Sequence, residues 1–209
     1  MVVEKYVPIS KKDCETFKTV AFMSRIADKT EMFRETLRQM SEKENADIQS
    51  KLAYALFNMV AGNANSVLES KTNVENAIAT FDEILEACPD MWIAKIFKIR
   101  IMLMLPCNFR DEEEIADEIQ DVIQSQLTSD YQPYFVVTYL LMSELYWSLG
   151  EEDTAVNYLN QALEFKPGII TEIPDYLIII FEELETKLNM SGHTQHADTV
   201  KKLKLQYFA

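Results

Sequence analysis

The sequence predicts an all-α chain of antiparallel helical hairpins, and three observations predict it. Glycine and proline are scarce, 4 and 6 in 209 residues, which suits long helices better than a turn-rich β-chain. Apolar residues recur at intervals of three and four along nearly the whole length. Capping residues, glycines and prolines cut that pattern into about ten segments, and no stretch alternates persuasively as a strand.

Residues 1–9 read as a short extended lead-in ending near Pro8. Ser10 followed by Asp13 makes an N-cap with an acidic partner. It opens a helix over about 11–27 with Phe17, Val20, Ala21 and Ser24 on one face. A second helix near 29–42 presents Phe33, Leu37 and Met40. Asp47 caps a longer one reaching about residue 69, with Ile48, Leu52, Ala55, Leu56, Met59 and Val60 as a broad apolar stripe. Gly62, Asn63 and Asn65 weaken its middle, where a kink or break is expected. Thr72 with Glu75 forms a capping box that opens a helix through about Ala87.

The segment from about Met91 to Leu105 has Trp92, Ile93, Ile96, Phe97, Ile99 and Leu103 around most of its circumference. A helix apolar nearly all round belongs at the centre of its protein. Leu105-Pro106 then breaks the chain. Asp111 with Glu114 caps a helix to about Gln126, striped by Ile115, Ile119, Val122 and Ile123. After the hairpin at 136–169, Pro174 starts a helix to about Asn189 with Leu177, Ile180, Phe181, Leu184 and Leu188 on one stripe. Met190-Ser191-Gly192 is a turn, and a last helix from about Thr194 carries Ala197, Val200, Leu203 and Tyr207.

The sharpest pattern lies between Val136 and Ile169. Tyr139, Met142, Ser143 and Tyr146 mark one helical face, and Gly150 ends that helix in a left-handed turn. Glu151-Glu152-Asp153 open a second helix at the positive end of its dipole. Ala155, Leu159 and Ala162 share one side of it, and Pro167 stops it. With Ser143, Tyr146, Gly150, Ala155, Leu159, Ala162 and Pro167 in this order and spacing, the segment resembles a tetratricopeptide repeat. Ala77, Phe81, Ile84 and Pro89 stand at the mutual spacings of Ala155, Leu159, Ala162 and Pro167, which reads as a degenerate repeat ending near Pro89.

The resemblance implies hairpins in a right-handed superhelical array. Residues 71–209 would form the array and residues 1–70 a helical capping region, together one continuous domain. It also implies protein binding in a concave groove lined by the first helix of each hairpin. The groove positions carried over are Val137, Leu140, Glu144 and Trp147, with Lys95 and Lys98 from the preceding hairpin resembling the cations that clamp a peptide carboxylate in some family members. The alternative for Trp147 is packing against the next helix, around Tyr176 and Ile180.

Composition narrows the rest. A net charge of −14 argues against nucleic acid and against an anionic membrane, both of which need basic residues. The three cysteines are scattered, so reduced thiols in a cytoplasmic protein are expected. The first residues lack the apolar run of a signal peptide, and the apolar stretches fall short of the roughly 20 residues of a membrane span. His193 and His196 form an H-x-x-H too poor in further ligands for zinc. The acids between Asp111 and Asp121 lack calcium-loop spacing and read as a solvated face, or as a docking patch for a basic partner. No nucleophile elbow, phosphate loop or dinucleotide fingerprint is present. No catalytic residue, metal or cofactor is therefore expected, and the expected role is a non-enzymatic adaptor, co-chaperone or regulatory scaffold. The alternatives are a subunit that self-assembles through faces such as Leu177–Leu188, and a small-molecule sensor or enzyme with an inter-helix pocket.

Overall fold

The computed structural model describes residues 6–26, 29–61 and 67–208. Within them lie ten α-helices and no strand beyond an isolated bridge between Val7 and Met91. The chain divides into two compact units, Met1–Met104 and Leu105–Ala209.

The first unit holds α1 (Lys11–Ser24), α2 (Thr30–Ser41), α3 (Ile48–Ala61), α4 (Val67–Ala87) and α5 (Trp92–Met104). The capping box is formed at Ser10: its hydroxyl accepts from the Asp13 amide while the Asp13 carboxylate accepts from the Ser10 amide at 2.7 Å. Gln49 donates to the same carboxylate at 2.7 Å, tying α1 to α3. Eight successive residues of α3, Leu52–Met59, are buried, because α1, α2 and α4 all pack on it. In α5 every residue from Trp92 to Leu103 is buried except Lys95, the all-round burial its composition implies.

Helix boundaries differ from expectation around α3 and α4: the helix expected to reach about residue 69 ends as α3 at Ala61. Thr72 does not open α4, which begins at Val67 and runs through residue 70 as well. Nothing in Val67–Lys71 breaks a helix, so helical hydrogen bonding continues upstream and overrides the capping signal. Asn73 instead reaches back to the Ala61 carbonyl at 2.9 Å. The break expected around Gly62 lies outside the described residues.

The second unit holds α6 (Glu112–Leu127), α7 (Val136–Leu149), α8 (Glu152–Glu164), α9 (Pro174–Met190) and α10 (Thr194–Tyr207), with short 3-10 helices at Cys107–Phe109 and Pro133–Phe135. Asp111 caps α6 by accepting the Glu114 amide at 3.0 Å. Helix α7 sits at the centre, in contact with α6, α8 and α9, while α9 also packs on α10. The Leu177, Ile180, Phe181, Leu184 and Leu188 stripe is buried. Self-assembly through those residues would need a surface that the fold has already consumed.

Candidate partner-binding surface

The α7–α8 hairpin is made by small residues at its contact. Ser143 and Ala155 are both fully buried, and the Ser143 hydroxyl donates to the Ala155 carbonyl at 2.9 Å. A larger residue at either place would hold the helices apart. Gly150 has φ +76, the left-handed conformation that closes a helix C-terminus, and the Glu151 amide closes the turn on the Tyr146 carbonyl at 3.0 Å. Tyr146 and Tyr158 stack with centroids 5.6 Å apart. Burial pushes the Tyr139 and Tyr158 phenols up, and a neighbouring tyrosine adds to each. Helix α8 stops at Glu164, before Pro167, with Phe165 extended and edge-on to Tyr139 at 4.8 Å.

Helix α9 packs beside α7, so the first helices of two successive hairpins lie next to each other. The carried-over positions divide on this face. Val137 and Leu140 have 0% exposure. They sit in a helix with ten buried residues out of 14, and a side chain so enclosed offers no surface to a partner. Glu144 is 5% exposed and its carboxylate is engaged by the Lys187 ammonium of α9. Trp147 is half-buried, with its ring against His193 at 4.4 Å and His196 at 5.3 Å.

In the first unit, Lys98 is buried and pairs with Asp82 at 2.8 Å, neutralising it within the α4–α5 pair. Lys95 is half-buried. Of these partners Lys187 is not singled out by the sequence, and His193 and His196 are read there only as a poor H-x-x-H, not as neighbours of Trp147. Lys187 could have been found, since it follows Ile180 and Leu184 at helical spacing and so shares their side of α9.

Among the described residues no group of three histidine, cysteine or carboxylate side chains could hold a metal ion, and no helix is long and apolar enough to cross a membrane. Comparison with curated proteins and with solved structures gives no match. The tetratricopeptide repeat model matches residues 136–169, the span of α7, Gly150, α8 and the extended segment after it. Residues 136–169 thus match the tetratricopeptide repeat in sequence and in form, with α7 and α8 as the helix pair.

Proposed function

We propose that this chain is a non-enzymatic protein-interaction module, an adaptor, co-chaperone or regulatory scaffold of the cytoplasm, that holds a peptide or partner helix against the α7–α9 face. One observation carries the reading: the tetratricopeptide repeat at 136–169 has the first helix of the following hairpin seated against its own first helix. Helices placed side by side in this way form the surface on which such repeats hold other proteins. On this face the Glu144–Lys187 pair, with the half-exposed ammonium outermost, supplies charge selection, and the half-buried Trp147 supplies apolar contact.

The test is affinity capture from lysate with the native chain and with Glu183→Gln/Lys187→Gln. Those two residues are four apart and share one side of α9. Loss of a captured protein by the variant, at unchanged circular dichroism, supports the face. Equal capture by both chains sinks it.

A further inference from the structure

The second unit presents a separate apolar surface at one end. Three turns gather there: the approach to α6, the α7–α8 turn and the α9–α10 turn. Arg110 donates to the Ser148 hydroxyl at 2.7 Å, tying the first turn to the second. His193 lies 3.7 Å from the Glu152 carboxylate and sets its ring, tilted, against Trp147, tying the second to the third. Each turn exposes one large apolar side chain: Phe109 at 70%, Leu149 at 42% and Met190 at 84%. Exposed apolar groups on turns tied to one another, with charge beside them, suit an interaction surface better than scattered surface residues do.

The charge rim decides the occupant. Glu113 and Glu114 stand in the first turn of α6 and Asp153 in that of α8, all exposed. Among the described residues these three take part in no ion pair. Arg110 does not offset them, because its side chain is 4% exposed and its guanidinium is turned to Glu112 and Ser148. A surface of this sign repels phosphates and anionic lipid and attracts lysine and arginine. We infer that this end docks a basic segment of a partner protein, which buries apolar residues on Phe109, Leu149 and Met190 and sets its cations against Glu113, Glu114 and Asp153. The inference goes beyond the α7–α9 reading, and the two surfaces fail independently.

The experiment titrates the full chain with a short fluorescein-labelled helical peptide of leucine and lysine, with a lysine–serine peptide and a leucine–glutamate peptide as controls. Anisotropy should rise for the first and stay flat for the last. The Glu113→Lys/Glu114→Lys/Asp153→Lys variant should weaken binding about tenfold and remove most of its salt dependence. Phe109→Ser/Met190→Ser should weaken it about fivefold. If the charge reversals perturb the circular dichroism, the Glu113→Gln/Glu114→Gln/Asp153→Asn variant replaces them, with a smaller loss expected in the same direction. Changes under twofold in both arms overturn the inference. So does a loss produced equally by Lys187→Gln, which would move the peptide to the α7–α9 face. Sedimentation showing a dimer of the chain that Phe109→Ser/Met190→Ser abolishes also overturns it, by making a second copy the occupant.

Discussion

Removing the two halves of the Glu144–Lys187 pair should have unequal effects. The Glu144 side chain is 6% exposed and that of Lys187 is 51% exposed. Lys187→Met leaves a carboxylate among buried neighbours without its ammonium. Breaking a fully buried ion pair from one side costs about 3–5 kcal/mol; here water reaches the vacated side and Glu144 keeps other contacts, so about 2 kcal/mol is expected, in the range of a hydrogen bond to a charged group. Glu144→Gln removes the buried charge, keeps an acceptor oxygen for Lys187 and leaves the ammonium to solvent, for less than about 1 kcal/mol. The double variant has no buried carboxylate to compensate and should be more stable than Lys187→Met alone. Urea unfolding followed by far-ultraviolet circular dichroism measures all three. With a slope near 2 kcal/mol per molar, the midpoint should fall by about 1 M for Lys187→Met and by less than about 0.5 M for Glu144→Gln. Equal losses, or a larger loss for Glu144→Gln, would refute the argument that burial asymmetry governs this pair.

Other outcomes follow from single positions. A Cβ at Gly150 meets nothing within 4 Å, so Gly150→Ala should lose about 1–2 kcal/mol from left-handed backbone alone; a thermal melt with no loss contradicts this. Burial first, then Asp90 and Asp13, pushes the Cys88 thiol up, so peptide-mapped alkylation with iodoacetamide at pH 8 should be slower than for a free cysteine peptide. Hydrogen bonds from Arg38 and Gln39 hold the exposed Glu35 carboxyl down to about 2 from its ordinary 4.5. A depressed folded value means the contribution is complete above about pH 4.5 and fades as pH falls toward 2. The stability difference between the native chain and Glu35→Gln should therefore close across that interval, and a difference independent of pH would count against it.

The sequence made the hairpin legible because its signals act locally. Ser143, Ala155 and Gly150 each do their work within the two helices they join, so spacing alone reveals them. The caps at Ser10 and Asp111 were legible for the same reason. What failed was knowledge of neighbours. Repeat position puts Val137 and Leu140 on the α9 side of α7, yet their enclosure depends on helices more than ten residues away in the chain. The partners of Trp147 come from the start of α10, and no periodicity within α7 indicates them. The hairpin after the repeat was harder to see as a continuation. From Val136 to Pro174 is 38 residues, against a family period of about 34, so residue-for-residue correspondence slips by one helical turn. Ile173, buried with φ +41 just before Pro174, sits in that slip.

The packing pattern also bears on how the chain reaches its structure. The main helix pairs are α1 and α2 with α3, α3 with α4, α4 with α5, α6 with α7, α7 with α8 and with α9, and α9 with α10. Each joins neighbours or next neighbours in order. Little chain must be looped before a pair can form, so closure entropy is small and folding belongs at the fast end of the range for its size. During synthesis, Met1–Met104 has all its main helix partners in hand before Leu105–Ala209 is made. The repeat follows by the same rule: α7 meets α8 across a single glycine turn, and each later helix adds to a surface that is already built.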